Sequence, residues 1–271
     1  MSHTIQIDTF KHLTFFSDAR TSQKDAIEHF LESGVEERLA DALPTPTYIV
    51  LWGDGLFVEI AKKAHHDQIP ILGVNFGTKG FLLHDRAVFE RKTVFSFSER
   101  AYPILHILCE IGEERIEWYA FNEVFLVRSG DAQAIDLFFA HEEKYFNYRG
   151  DGIMVSTPTG STGWSRSYGW VILPHEANLN VITPVGGITP NTFSATVFPD
   201  SGTIHIQYKA ARENSIDLLI DNTRMLHAEN RPFFLTITRA SENVTLLIED
   251  SYASKWDGKI YEEQGMSLEK I

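Results

Sequence analysis

Along the first hundred residues, short continuous apolar runs alternate with stretches of helical spacing. His12 to Phe16 reads as a short strand, and Ser22 as the cap of a helix whose apolar positions Ile27, Phe30, Leu31, Val35 and Leu39 recur near the helical period. Tyr48-Ile49-Val50-Leu51-Trp52 is uninterrupted between Pro46 and Gly53, the pattern of a strand covered on both faces. A helix from about Leu56 to His66 follows, then a strand from Pro70 to Val74, then the glycine-punctuated loop Asn75 to Gly80. Strand, helix and strand joined by short connections predict a parallel sheet with right-handed crossovers, a Rossmann-like α/β domain over residues 1–100.

From Ala101 the period changes. Ile104 to Ile111, Glu117 to Val127, Ala134 to Ala140, Gly152 to Ser156, Thr203 to Gln207, Ile216 to Ile220, Phe233 to Thr238 and Val244 to Glu249 all read as strands between turns. They predict an all-β, sandwich-like domain over residues 101–250. Ser165 to Leu173 reads as a helix entered from a Gly/Ser/Thr loop, with Gly169 inside it. Residues 251–271, around Trp256, form a tail expected to return to the first domain. There is no internal repeat and no low-complexity tract, and a tight junction between the two parts is expected to be a ligand site.

Composition narrows the function classes. With 43% hydrophobic and 23% charged residues over 271 positions, a disordered or collagen-like chain is excluded. The balance of 24 Lys and Arg against 37 Asp and Glu leaves a formal charge of -13, which repels polyanions at long range. Nucleic acid and anionic membranes are therefore not expected partners, and a phosphate ligand needs a local basic pocket. Cys109 is the only cysteine, so an internal disulfide and a cysteine-built metal site are excluded, and a reducing, cytoplasmic setting is expected. The start at Met1-Ser2-His3 carries no basic-then-apolar signal, and no apolar run approaches a bilayer span.

Four segments could carry chemistry. Gly53-Asp54-Gly55 leaves the Tyr48 to Trp52 strand at the end where open α/β sheets bind ligands, and its glycines permit close approach to the backbone. The same tripeptide also reads as a plain strand-to-helix turn capped by Asp54. Asn75 to Phe81 can present backbone N–H groups, with Lys79 to meet a phosphate, but it lacks the Walker A spacing and reads equally as an ordinary turn. Arg149 to Ser167 contains Ser156-Thr157-Pro158-Thr159-Gly160-Ser161-Thr162, short hydroxyl side chains that can wrap a base or ribose, and Trp164, which offers a stacking face. Thr159 stands where a nucleophile elbow around Ser161 would need glycine, which rules out that hydrolase motif. Finally, Asn122 and Glu123 are polar residues inside a strand-like run, either functional or part of an internal hydrogen-bond network. The histidines show no metal-binding spacing, so no protein-built metal site is expected.

Taken in this order, the segments resemble the NAD kinase family of ATP- or polyphosphate-dependent enzymes. Trp52-Gly53-Asp54-Gly55 is similar to the family's Gly-Gly-Asp-Gly motif, Asn122-Glu123 to its Asn-Glu motif, and Gly150 to Thr162 to its Gly-Asp-Gly and Ser-Thr-Pro-Thr-Gly-Ser-Thr segment. The resemblance implies an N-terminal α/β domain, a C-terminal β domain, a dinucleotide held between them, and transfer of a phosphoryl group from ATP or polyphosphate to the 2′-hydroxyl of NAD. It further implies Asp54 as the catalytic carboxylate. Gly55, Phe81, Asn122, Glu123, Arg149, Asp151, Ser156, Thr159, Thr162, Gly163, Trp164, Ser167 and Asn222 are implied as NAD contacts, with Gly53, Lys79 and Arg166 near phosphates. Mg²⁺ would accompany ATP, and a homodimer or homotetramer is expected. Trp52 replaces the family's first glycine and Leu56 its following threonine, changes that put a large ring and an aliphatic chain where phosphates approach. Two other classes share parts of the pattern: a non-catalytic dinucleotide-binding homologue, and a lipid kinase of the diacylglycerol or sphingosine type, which lacks the Ser-Thr-Pro-Thr-Gly-Ser-Thr segment.

Overall fold

A computed structural model of the chain describes residues 4–18, 22–78, 80–130, 133–169, 171–190, 192–210 and 215–263. Two compact units emerge: residues 1–102 with 244–271, and residues 103–243. In the first, β1 (Thr4–Phe10) and β2 (Leu13–Asp18) form an antiparallel pair, followed by α1 (Lys24–Phe30), a π-helical turn over Leu31–Val35, and α2 (Glu36–Ala42). The apolar spacing seen in the sequence spans this whole stretch, because Ile27, Phe30, Val35 and Leu39 all reach the core even though Gly34, at φ 74°, breaks the helix. Gln23, not Ser22, takes the position before α1, and no side chain caps that helix.

β3 (Thr47–Trp52), α3 (Asp54–Asp67) and β4 (Ile71–Asn75) supply the expected strand-helix-strand unit, and β2, β3 and β4 pair in parallel. The short β5 (His84–Asp85) also pairs with β4 in parallel, followed by α4 (Arg86–Arg91) and the edge strand β6 (Phe97–Tyr102).

The second unit holds two six-stranded antiparallel sheets. One is ordered β11-β10-β15-β18-β7-β8, from β7 (Leu105–Ile111), β8 (Glu114–Ala120), β10 (Ile135–His141), β11 (Lys144–Gly150), β15 (Ile204–Tyr208) and β18 (Phe233–Arg239). The other is ordered β14-β13-β12-β9-β16-β17, from β9 (Glu123–Arg128), β12 (Gly152–Ser156), β13 (Leu179–Val185), β14 (Thr196–Pro199), β16 (Ser215–Ile220) and β17 (Thr223–Glu229). Leu105, Ile107, Leu235 and Ile237 of one sheet share a core with Leu126, Ile153, Leu218 and Ile220 of the other, which is the expected sandwich. The segment Glu117 to Val127 is two strands, β8 and β9, broken at Phe121-Asn122. Among the described residues of Ser165 to Leu173 only those of α5 (Trp164–Ser167) are helical, because Gly169 at φ 85° turns the chain out of it.

The chain then returns to the first unit. β19 (Val244–Glu249) pairs in parallel with β4 and antiparallel with β6, so this strand belongs to the first sheet and not to the β domain to which its position in the sequence assigned it. The first sheet is therefore mixed, with parallel central strands and antiparallel pairs toward both edges. α6 (Ala253–Glu263) follows in the same unit, where Trp256 is fully buried and its Nε1–H donates to Tyr102 Oη at 2.9 Å.

Candidate functional site

In the first unit, Gly53 leaves β3 in an extended conformation and stands immediately before α3, so Asp54 is the helix's first residue. The carboxylate does not cap its own helix. It reaches across to the loop after β4, where Phe81 N–H donates to Oδ2 and Leu82 N–H to Oδ1, both at 2.8 Å. The helix terminus and these two donors favour the ionised form, yet burial outweighs them and holds the Asp54 carboxyl above the ordinary carboxylate range. A Cβ at Gly53 or Gly55 would meet no atom of the chain within 4 Å, so packing does not require glycine at either position and both leave the backbone open beside Asp54. Leu56 is buried on α3, and Trp52 is partly buried against the core of this unit. Phe81 is thus brought to Asp54, whereas Lys79 lies outside the described residues.

In the second unit, the break between β8 and β9 is built by Asp221. This residue and Asn222 sit at φ 47° and φ 61° in the turn joining β16 to β17. The Asp221 carboxylate accepts N–H bonds from Phe121 (3.0 Å), Asn122 (2.8 Å) and Glu123 (3.2 Å). Those three donors are therefore satisfied by a side chain instead of a neighbouring strand, which is why the β ladder stops there. Asn222 itself is exposed at the turn. Ser156, at the end of β12, lies directly opposite Glu123 in the sheet register.

The hydroxyl-rich loop is stitched to the same break. Thr157 N–H donates to Asn122 O at 2.8 Å and Thr157 Oγ1 to Phe121 O at 2.8 Å. Gly160 crosses so closely that a Cβ there would stand 2.1 Å from Asn122 O, so only glycine fits. Two of the four hydroxyls expected as ligand contacts, Thr162 and Ser167, also brace the loop, as does Ser161. Ser161 Oγ donates to Pro158 O and accepts Leu173 N–H, Thr162 Oγ1 donates to Thr159 O, and Ser167 Oγ donates to Trp164 O. Ser156 Oγ, Thr159 Oγ1 and Asn122 Oδ1 differ: all three are buried without a hydrogen-bond partner. A buried orphan oxygen costs about 1–3 kcal/mol, so three of them on adjoining segments point to a polar ligand that completes them.

Around this cluster, Trp164 is 43% exposed and packs edge-on to Phe125, leaving a ring available for stacking. Asp151 is held by Arg128 Nε at 2.8 Å, a cation that sequence reading had not singled out. Arg149 is half-exposed on β11, with Asp136 4.0 Å away and its backbone paired to Thr189; Arg166 is partly buried on α5. Gly163 has only Gly160 O and Glu123 Oε2 near the place of a Cβ, at 3.4 and 3.8 Å. Among the described residues, no three His, Cys, Asp or Glu side chains are grouped to hold a metal ion. No described helix is long and apolar enough to cross a membrane.

An α/β unit with a loop-held carboxylate and a β sandwich with unpartnered buried oxygens are the two parts that known proteins can be compared with. The chain belongs to the NAD kinase family: residues 8–101 match the ATP-NAD kinase N-terminal domain and residues 121–247 the ATP-NAD kinase C-terminal domain. It is 32% identical over 213 residues to the NAD kinase of Lachnoclostridium phytofermentans, covering 73% of each chain. With the NAD kinase of Brucella suis it shares 26% identity over 265 residues, covering 95% of this chain and 98% of the other. Its fold is similar to that of yeast NADH kinase complexed with NADH, at a TM-score of 0.78 and 18% identity, over 98% of this chain and 90% of that one. An NAD kinase from Archaeoglobus fulgidus in complex with ATP aligns at a TM-score of 0.64 and 17% identity, covering 92% and 96%.

Proposed function

We propose that the protein is an NAD kinase, transferring the γ-phosphoryl group of ATP, or a phosphoryl group of polyphosphate, to the 2′-hydroxyl of the adenosine ribose of NAD to give NADP. The observation that carries this reading is the trio of buried, unpartnered oxygens on Asn122, Ser156 and Thr159, within the motifs that match the family. They supply acceptors and hydroxyl donors to the dinucleotide, and the Trp164 ring supplies a stacking face. In the transfer, the ribose oxygen forms the new bond to phosphorus as the bond to the leaving phosphate breaks. The hydroxyl proton passes to Asp54. A carboxylate whose proton affinity is raised by burial is a better acceptor for it than an ordinary one.

Mg²⁺ would enter with ATP and neutralise phosphate charge. The open backbone at Gly53 and Gly55, with Leu56 and Trp52 packed toward the core, supports a phosphate approach that the two departures from the motif do not obstruct. A cytoplasmic location belongs to the same reading and is supported by the buried, unpaired Cys109. So does a homodimer or homotetramer.

Incubating purified protein with NAD, ATP and Mg²⁺ and measuring NADP tests the proposal. NADP formation is expected. NAD binding without NADP formation would replace it with the non-catalytic binder.

A further inference from the structure

The tail helix α6 carries a lysine that no motif contains. Lys259 lies one turn after Trp256, on the same helix face, and is 7% exposed. Its ammonium rests over the Trp256 ring, 4.8 Å from the centroid, and over Tyr252 at 5.3 Å. It donates to Gly80 O at 2.8 Å, to Phe81 O at 3.2 Å and to Leu83 O. An ammonium has three N–H groups, and three backbone carbonyls receive them.

Two of those carbonyls belong to the peptide groups that hold Asp54. The 80–81 peptide accepts from Lys259 through Gly80 O and donates to Asp54 through Phe81 N–H. The 81–82 peptide accepts through Phe81 O and donates through Leu82 N–H. Each peptide therefore stands between a cation and a carboxylate with its dipole aligned, and in such a chain each bond strengthens the next. Gly80 fits this path because a Cβ there would come within 2.7 Å of the Asn75 side chain.

We propose that Lys259 is a positioning residue for phosphoryl transfer, fixing and polarising the Phe81 and Leu82 N–H groups that orient Asp54, so that turnover requires its ammonium form. This rests on the NAD kinase reading. A neutral amine keeps only two N–H groups and turns a lone pair toward the third carbonyl, so deprotonation breaks the relay.

Burial draws the Lys259 pKa down to about 8, against the pull of Asp54, Asp85 and Glu262 and with a push from Lys255. His84 and Tyr252, the other titratable groups facing it, are both neutral at these pH values, because burial holds the imidazole pKa down and the phenol pKa up. Because this pKa is lower in the folded protein than in the unfolded chain, Lys259's own contribution to stability rises with pH between the two values. Alkaline loss of turnover through Lys259 is thus distinct from unfolding.

The wild type is assayed first for NADP formation from pH 6 to 9.5, with melting temperature followed in parallel. Turnover is expected to fall reversibly about tenfold as pH rises through 8, without a matching fall in melting temperature. Lys259→Met is expected to lower kcat at least tenfold, keep KM for NAD within about twofold, and move the acid limb set by Asp54 upward, since a nearby positive charge is gone. Lys259→Arg, charged at every pH tested, is expected to recover part of kcat and to lose the alkaline limb. Amide exchange at Phe81 and Leu82 is expected to quicken in Lys259→Met.

A folded Lys259→Gln with the wild-type kcat and pH profile overturns the proposal while leaving the kinase reading intact, and this second substitution keeps the test decisive if Lys259→Met does not fold. A folded Lys259→Met with wild-type kcat and an unmoved acid limb does the same. A wild type without turnover overturns both.

Discussion

Two residues separate chemistry from binding. Asp54→Asn keeps one acceptor for the loop amides but removes the proton-accepting charge and turns an NH₂ toward the other N–H. Turnover is expected to fall by roughly a hundredfold or more with NAD affinity little changed, as steady-state kinetics beside NAD titration will show. Thr159→Val tests the orphan oxygens. Its hydroxyl has no protein partner, so the isosteric change is expected to leave melting temperature unchanged or higher while weakening NAD binding by about 1–2 kcal/mol, roughly five- to thirtyfold in Kd. Thr162→Val should behave in the opposite way. That hydroxyl already donates to Thr159 O, so its loss is expected mainly in stability.

At the scale of elements, the site of the second unit depends on a strand that stops. Asp221 draws the N–H groups of Phe121, Asn122 and Glu123 onto one carboxylate, and the loop after β12 packs on the gap so made. Asp221→Asn keeps the oxygen that receives two of the three bonds and tolerates the left-handed backbone, so a cost of about 1 kcal/mol is expected. Asp221→Ala frees all three donors and places a poorly suited residue at φ 47°, and a cost of roughly 2–3 kcal/mol is expected. Urea unfolding compares the two, and NAD affinity should fall in the same order because Asn122 is released with its N–H.

At the scale of the whole molecule, the first unit is sewn together through His84. Its Nδ1–H donates to Gly73 O and its Nε2 accepts Glu249 N–H, both at 3.0 Å, joining β4 and β5 to the returning strand β19. Burial holds its pKa down at about 4, so the folded protein keeps it neutral where the unfolded chain, near 6.5, takes up a proton. Its stabilising contribution is fully present above pH 6.5 and is lost as pH falls toward 4, by roughly 3 kcal/mol across that window. Urea midpoints between pH 7.5 and 4 are expected to fall more steeply for the wild type than for His84→Gln. The proposed assembly is tested at this scale too. Tyr119 and Tyr145 are exposed on β8 and β11, the two edge strands of one sheet, where a second copy would cover them. Light scattering at micromolar concentration is expected to show a dimer or tetramer; monomer alone would count against it.

The sequence by itself determined whatever is encoded by neighbours in the chain. Burial on both faces forces an unbroken apolar run such as Tyr48 to Trp52, burial on one face forces the alternation of Leu105 to Ile111, and close backbone crossings and local hydroxyl bonds call for the glycines and hydroxyls between Gly150 and Thr162. Those features made the two architectures, the family and most candidate residues legible. Tertiary structure decided what depends on distant partners. Val244 to Glu249 has the same local pattern whichever sheet it joins, and only its pairing with β4 and β6 places it in the first. Ser161 and Thr162 donate to carbonyls three residues back, a local habit of hydroxyl side chains, but only the packing around Ser156 and Thr159 leaves their hydroxyls buried without partners. Asp221 acts on a backbone 99 residues away and Lys259 on one 179 residues away, so their roles exist only once the chain has closed on itself. Hydrogen bonds and charge are satisfied in space, whereas sequence patterns record only what lies alongside.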